Sequence, residues 1–111
     1  MDGCIFCKIA AGEIPSRKAY EDDRVLAFYD LEPQAATHIL VIPKNHIGAV
    51  AEITSANSDV VAHIFTVIPQ VAKELGITDY RVVSNNGVDA GQTVHHLHFH
   101  LLGGATLGGM V

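Results

Sequence analysis

The sequence predicts an α+β fold with about five strands, one long helix and one short helix. Five segments have strand-like patterns, and residues 54–75 repeat apolar side chains at helical spacing. Near the end of the chain, histidine and apolar residues alternate with the period of a strand. The 111 residues are expected to form one domain over 1–111, with a core at about 4–104 and a loose or docking tail at 105–111.

The first predicted element is a short helix. Apolar residues within 4–9 are spaced for one or two helical turns, which end at Gly12. Pro15 fixes its own φ and restricts Ile14 to extended conformations, so a turn is expected there. The helix is therefore expected to end before the first strand begins.

Three strands are predicted next. Residues 18–21 and 24–30 have the pattern of a hairpin with an Asp-Asp turn at 22–23, and residues 31–34 form a loop. Residues 37–43 are almost all apolar, which is typical of a strand that is covered on both faces.

A long helix is predicted after them. Thr54 or Ser55 can cap it, and it runs to about Leu75 and stops at Gly76. Pro69 lies inside it and is expected to kink it or to break its hydrogen-bond ladder near Phe65. Its apolar arc is wider than one sheet contact needs, and we interpret the surplus as a homodimer interface. The two apolar rows are Val60, Ile64, Val67, Val71 and Leu75, and Val61, Phe65, Ile68 and Ala72.

The last predicted strands carry the residues that indicate chemistry. Residues 80–84 are rich in β-branched residues, and residues 85–91 predict a turn. The turn leads into a predicted strand over 92–102, and period two places its histidines on one face and its apolar residues on the other. The histidines are His96, His98 and His100, and the apolar residues between them are Leu97, Phe99 and Leu101.

Three interpretations of this histidine row compete. It could be a solvated polar face, although three histidines in register are improbable by chance. It could bind one metal ion, but the Cα atoms of His96 and His100 would lie about 13 Å apart, whereas an imidazole reaches a metal roughly 6–7 Å from its Cα. The third interpretation is nucleophilic and acid–base catalysis with His98 attacking, because imidazole is partly neutral near pH 7.

The turn before the histidines predicts an anion site. Gly87, Ala90 and Gly91 let the backbone approach a ligand closely, so their N–H groups could form an anion-binding nest. A plain hairpin turn is the alternative. Gln92 and Thr93 follow and offer polar groups to the same anion, which favours the nest.

A C-x-x-C pair at Cys4 and Cys7 fits two reduced thiols or a redox pair. It predicts zinc only if two more ligands converge on it, and the candidates are His46 and either His96 or His95. A Cys₂His₂ set is closed and tetrahedral, as in structural zinc sites. His95 is the weaker candidate because it lies on the opposite strand face from His96.

Composition limits the possible partners and the compartment. The formal net charge of −5 argues against a nucleic-acid polymer or an anionic membrane as a partner. No apolar run approaches the roughly 18 residues of a membrane span, and residues 1–20 lack the pattern of a secretory signal. Two cysteines three apart are not expected to form a structural disulfide. We therefore predict a soluble cytoplasmic protein.

The segment His96–Leu102, HLHFHLL, resembles the His-φ-His-φ-His-φ-φ signature of the histidine-triad (HIT) superfamily. Residues 28–44 resemble the nucleotide-side hairpin of its histidine triad nucleotide-binding branch, the purine nucleoside phosphoramidases. Residues 13–16, 89–92 and 102–104 resemble that branch as well. The resemblance implies a HIT-like antiparallel sheet that extends across a homodimer.

The resemblance also implies an activity. The family cleaves nucleoside 5′-phosphoramidates or aminoacyl-adenylate-type substrates at the α-phosphorus through a nucleotidyl-histidine, which here would release AMP or GMP. By resemblance His98 is the nucleophile, and His38, His96 and His100 complete the catalytic set. No metal is required for this chemistry.

The remaining site residues follow from the same resemblance and from side-chain chemistry. Asp30 can accept both ribose hydroxyls, because a carboxylate is a bidentate acceptor. A purine would lie among Phe6, Phe28, Leu31 and Ile42. The α-phosphate would lie among Asn85, Gly91, Gln92, Thr93, His98 and His100. Zinc-bearing branches imply a structural zinc at Cys4, Cys7, His46 and His96.

Two departures keep other functions open. The chain has no tryptophan, which many phosphoramidase relatives carry in the C-terminal tail, and its cysteine pair is atypical of that branch. The alternatives are a dinucleoside polyphosphate hydrolase, a nucleotidyl transferase, a non-catalytic nucleotide-binding regulator, or a hydrolase that uses the triad as metal ligands.

Overall fold

The computed structural model of the chain describes residues 3–110, so the predicted domain limits 1 and 111 lie outside the described residues. Its strands form one antiparallel sheet in the order β1-β2-β3-β5-β4. A short helix α1 (Ile5–Ala10) and a long helix α2 (Ser58–Glu74) accompany the sheet, which confirms the predicted α+β arrangement. The strands are β1 (Lys18–Glu21), β2 (Val25–Tyr29), β3 (Thr37–Pro43), β4 (Tyr80–Val83) and β5 (Phe99–Gly103).

Helix α2 covers one face of the sheet. Its apolar residues form a core with alternate residues of β2, β3 and β5. Ile68 and Ala72, which we assigned to a surplus apolar arc, are buried in this same core. Phe65 stays 50% exposed, with its ring 5.1 Å from that of Phe99. Much of the wide arc is therefore used within the chain and does not by itself indicate a partner.

The beginning of α2 differs from the prediction. The helix starts at Ser58 because the residues before it form a turn, in which the Thr54 N–H donates to Asn57 Oδ1 at 2.7 Å. The Thr54 hydroxyl accepts the Ala56 N–H at 3.2 Å, so it caps this turn instead of the helix. The helix continues through Pro69 to Glu74, so the proline does not end it.

The opposite face of the sheet is only partly covered. Phe6 and Ile9 of α1 pack there against alternate apolar residues of β2 and β3. The β3–β5 register places Leu40 opposite His100 and His38 opposite Leu102, so both histidines belong to this face. Because α1 has only six residues, the sheet beside the histidines stays open.

The histidine strand is shorter than predicted. Strand β5 begins at Phe99, and residues 92–98 form a loop. The Leu97 N–H donates to the Ile47 carbonyl at 2.6 Å and the His96 N–H donates to the Val94 carbonyl at 2.9 Å, so neither joins the sheet. The alternation of sides persists, because Leu97 and Phe99 lie in the core beneath α2.

Candidate active site and metal cluster

A cavity of about 500 Å³ opens on the sheet face that α2 does not cover. It lies between α1, the segment before β1, the ends of β2 and β3, and the loop before β5. Apolar side chains of α1 and β2 form one wall and histidines form another. The predicted site residues that line it are Phe6, Phe28, Asp30, Leu31, His38, Gly91, Thr93, His98 and His100.

A backbone carbonyl fixes the orientation of the His98 ring. Its Nδ1 lies 2.6 Å from the His96 carbonyl oxygen, which can only accept a hydrogen bond. Nδ1 therefore carries the proton of the neutral ring, and Nε2 keeps an unshared pair. Phe6 packs edge-on against the ring at 5.1 Å, and only 5% of His98 is exposed. The arrangement places an imidazole with a fixed orientation at the cavity wall.

A chain of hydrogen bonds fixes the other two histidines of the cavity. The Gln34 N–H donates to His38 Nδ1 at 3.0 Å, so Nε2 of a neutral His38 carries the proton. That Nε2 lies 2.8 Å from His100 Nδ1 and donates to it. His100 consequently carries its own proton on Nε2. The neutral site thus pairs an unprotonated nitrogen on His98 with an N–H donor on His100.

Burial keeps these rings neutral. It lowers the pKa of His100 from 6.5 to about 4, and positive charge on His98 or His38 acts in the same direction. Burial also lowers the pKa of His38, and the Asp30 carboxylate opposes that shift. The proton positions inferred for His38 and His100 therefore apply at pH 7.

Asp30 follows β2 at the cavity edge. Its Oδ1 accepts the Glu32 N–H at 2.8 Å, which makes a local turn, and its Oδ2 lies 3.5 Å from His38 Nε2. Leu31 lies next to it at the cavity rim and is 95% exposed. Phe6 and Phe28 pack edge to face with centroids 5.6 Å apart, so they form a preassembled apolar wall.

The glycine turn contains a 3₁₀ segment, Val88–Ala90, between Gly87 at φ 96° and Gly91 at φ 100°. Both glycines adopt left-handed angles that other residues rarely take. Gly91 lines the cavity. Asn85 does not line it, but a Cβ added to Gly91 would lie 3.4 Å from Asn85 Nδ2, so the amide lies directly beside the turn.

Gln92 lies behind the cavity and does not line it. The buried side chain accepts the Gly87 N–H at 2.8 Å, and its Nε2 donates to the carbonyls of Gly48 at 2.8 Å and Val94 at 3.0 Å. Both amide hydrogens are thus committed to the backbone. Gln92 braces the glycine turn, whereas Thr93 reaches the cavity.

The four predicted metal ligands converge on a second site beside α1. Ligand atoms of Cys4, Cys7, His46 and His96 all lie within 4.8 Å of one another, so the cluster could hold a metal ion. His96 Nδ1 lies 3.3 Å from Cys4 Sγ and 3.5 Å from Cys7 Sγ, and His46 Nδ1 lies 3.3 Å from Cys7 Sγ. Tetrahedral ligands about 2.0–2.3 Å from zinc would have similar separations.

His96 serves this cluster and not the cavity. It is fully buried, and its Nε2 donates to the Pro43 carbonyl at 2.8 Å. Nδ1, with its unshared pair, therefore faces the two thiols, which is the orientation a metal ligand needs. His95 is instead exposed and lies 3.2 Å from Glu52, outside the cluster.

Two residues that hold the histidines were not predicted from the sequence. Gln34 acts through its backbone N–H, which no side-chain pattern reveals. Ser84 Oγ donates to the His98 carbonyl at 2.8 Å and so fixes the loop before β5. Its only signal was its place next to Asn85 at the end of a predicted strand.

Two comparisons of sequence identify a matching family model and related proteins. The family model described as "Scavenger mRNA decapping enzyme C-term binding" matches residues 3–109. Purine nucleoside phosphoramidase of Escherichia coli (strain K12) is 43% identical over 109 residues, which span 96% of this chain and 92% of that protein. Protein HitA of Neisseria gonorrhoeae is 41% identical over 104 residues, 93% of this chain and 97% of that protein.

Solved structures share the fold over the whole chain. A histidine triad protein from Clostridium difficile is 55% identical with a TM-score of 0.94, covering 100% of this chain and 97% of that one. A HIT family hydrolase from Clostridium thermocellum is 47% identical with a TM-score of 0.96, covering 100% of this chain and 98% of that one.

Among the described residues, no helix is both long and apolar enough to span a membrane.

Proposed function

The chain belongs to the histidine-triad family, and on that premise we propose that it is a nucleotide-binding hydrolase that cleaves purine nucleoside 5′-phosphoramidates, or related aminoacyl adenylates, to a nucleoside monophosphate. The observation that carries the proposal is the fixed His98 ring. Its Nδ1 is bound to the His96 carbonyl at 2.6 Å, and the ring lines a cavity large enough for a small ligand.

In the first step, Nε2 of His98 attacks the α-phosphorus and the P–N bond breaks. The amine leaves with a proton taken from solvent water, the nucleotide remains on His98, and the water consumed in the second step returns a proton to solvent. Water then attacks the same phosphorus, the P–Nε2 bond breaks, and the nucleoside monophosphate is released with His98 restored. Dividing one difficult displacement into two easier ones is the gain of covalent catalysis.

The neighbouring groups would stabilise the charge that develops on the phosphoryl oxygens. Gly91, Thr93 and His100 all line the cavity, and their backbone N–H, hydroxyl and ring N–H groups are the candidate donors. One such donor is worth about 10²–10³ in rate. His38 acts as a positioning residue through its 2.8 Å contact with His100, and Asp30 would accept the ribose hydroxyls.

Replacing the nucleophile tests this mechanism. We expect His98→Ala to lower turnover of adenosine 5′-phosphoramidate by at least about 10²-fold while the protein remains folded. His95→Ala is the matched control, because His95 is a 70% exposed histidine of the same loop outside the cavity. A wild-type rate in His98→Ala would refute covalent catalysis. If the wild type hydrolyses a dinucleoside polyphosphate faster than adenosine 5′-phosphoramidate, the alternative substrate class is favoured.

We also propose that the Cys4, Cys7, His46 and His96 cluster holds a structural zinc ion. The fit rests on the converging ligand atoms and on the Pro43 contact that turns His96 Nδ1 toward the thiols. Zinc would fix α1 and the loop before β5 and would take no part in the reaction. A reducing cytoplasm, which we propose as the location, keeps both thiols available.

Elemental analysis tests the zinc site. We expect about one zinc per chain in the wild type after purification without chelator, and far less in Cys7→Ser. His95→Ala should keep its zinc, since His95 lies outside the cluster. Equal zinc in all three proteins, or none in the wild type, would refute the assignment.

We propose a homodimer in which the sheet continues across the subunits. The support is family membership together with strand β4, which ends the sheet order and leaves one edge without a strand neighbour among residues 3–110. Light scattering behind size exclusion should report twice the mass of the 11.9 kDa chain. A monomer at micromolar concentration would overturn this proposal.

A further inference from the structure

The cavity extends well beyond the histidines, to the segment that precedes β1. Pro15, Ser16 and Arg17 line that part. Ser16 Oγ is buried and makes no hydrogen bond, and among the described residues 3–110 it is the one buried side-chain nitrogen or oxygen without a partner. A buried hydroxyl without a partner costs about 1–3 kcal/mol. An uncompensated polar atom at a cavity wall indicates that its partner is a ligand.

The order of the sheet relates Ser16 to the rest of the site. The histidine wall lies on β3, β5 and the loop before β5, Asp30 follows β2, and Ser16 leads into β1, so these groups succeed one another across the strand order. The Tyr29 N–H donates to the Arg17 carbonyl at 2.9 Å, which holds the segment with Ser16 beside the strand that ends at Asp30. A nucleotide has the same succession of phosphoryl group, ribose and base.

At this end of the cavity, Ser16 supplies the buried polar side-chain atom that lacks a partner. The Arg17 guanidinium lies 4.1 Å from the centroid of the Tyr29 ring and is held there. The other cavity residues near the chain start, Ile5, Phe6, Ile9 and Pro15, offer apolar side chains only. They can sandwich a base but cannot bond its polar edge.

On the basis of the proposed function, we propose that Ser16 is a base-binding residue whose hydroxyl bonds the polar edge of the purine. Because Ser16 Oγ is buried in the structure, the hydroxyl would have to rotate about its Cα–Cβ bond to meet the base. The hydroxyl is one donor and two acceptors, so it can pair with a ring nitrogen and with the exocyclic group of a purine. The same property allows adenine and guanine alike.

The test compares ligands with and without a base. Binding of AMP is measured by calorimetry, and binding of ribose 5-phosphate by competition with AMP, for the wild type, Ser16→Ala and Ser55→Ala. Ser55 is an exposed serine far along the chain and serves as the control. We expect Ser16→Ala to weaken AMP binding by about 2–12-fold, the equivalent of one neutral hydrogen bond, and to leave ribose 5-phosphate binding unchanged.

The melting temperature supplies a second measurement. Removing an unpartnered hydroxyl should leave it unchanged or raise it, whereas loss of a structural hydrogen bond would lower it. Equal weakening of both ligands, or no weakening of AMP, would overturn the role of Ser16. A wild-type protein that does not bind AMP would refute the proposed function itself. If the wild type hydrolyses the phosphoramidate and Ser16→Ala binds AMP as tightly as the wild type, only the role of Ser16 is refuted.

Discussion

Acid should destabilise this protein through the buried pair of His38 and His100. The pKa of His100 lies at about 4 in the folded chain, whereas an unfolded histidine titrates near 6.5. The unfolded chain therefore binds a proton more readily between these two values. Stability is full above the unfolded pKa and is lost as the pH falls from 6.5 toward 4.

The size of the effect follows from the shift. The difference between 6.5 and about 4 corresponds to roughly 3 kcal/mol in full. Acidification from about pH 7.5 to about pH 5 should remove roughly 2 kcal/mol of this contribution to the free energy of unfolding. Because His100 is only half-buried and lines an open cavity, solvent screening reduces our expectation to about 1 kcal/mol.

Urea unfolding of the wild type, His100→Gln and His95→Gln at the two pH values measures this contribution. Glutamine keeps polar atoms in the cavity but does not titrate. We expect His100→Gln to lose about 1 kcal/mol less stability on acidification than the wild type does. His95 is 70% exposed, so His95→Gln should behave as the wild type. Equal losses in all three proteins would refute the inferred burial of a neutral His100.

Two further predictions concern the scaffold. Gly103→Ala places a Cβ 2.8 Å from Ile77 Cγ2 and 3.2 Å from the Asp79 carbonyl, so we expect about 1–3 kcal/mol of destabilisation by calorimetry. Gly108→Ala is its control, since a Cβ there meets nothing within 4 Å, and an equal loss would contradict the packing argument. Asp22→Asn weakens the acceptor of His63 Nε2 at 2.6 Å and Tyr20 O–H at 2.7 Å, and should cost about 1–2 kcal/mol near pH 7 in urea unfolding. Burial opposes ionisation of Asp22, but those bonds and two backbone N–H groups hold its pKa well below the usual range, so the difference from wild type should begin to shrink near pH 4 and decrease steadily as the pH falls further. Exposed Asp23→Asn should stay at wild-type stability throughout, and a pH-independent loss in Asp22→Asn would contradict the charge argument.

Local pattern was enough for most of the sheet. The prediction for residues 37–43 agrees with β3 at both ends, because a run of apolar residues covered on both faces has no other favourable conformation. The hairpin of β1 and β2 followed from its Asp-Asp turn in the same way. The start of β5 could not be predicted, since the Leu97 N–H donates to Ile47, fifty residues earlier in the chain.

For the candidate site, too, local properties could be predicted from the sequence and tertiary contacts could not. The side on which each histidine lies is a local property, and the alternation predicted it. The hydrogen-bond partner of each ring is a property of the tertiary structure. Residue spacing in the sequence therefore could not predict these partners. They are the Gln34 N–H for His38, the Pro43 carbonyl for His96 and three backbone groups for the Gln92 amide.

The Gln92 amide has a consequence for how quickly and how tightly the proposed phosphate site would bind an anion. It ties the glycine turn to two other backbone segments whether or not anything lies in front of it. The entropy of ordering that turn is therefore lost once, during folding, and not again at each encounter with a ligand. A receptor built this way should bind with little rearrangement, at a rate limited by collision and orientation and not by loop closure.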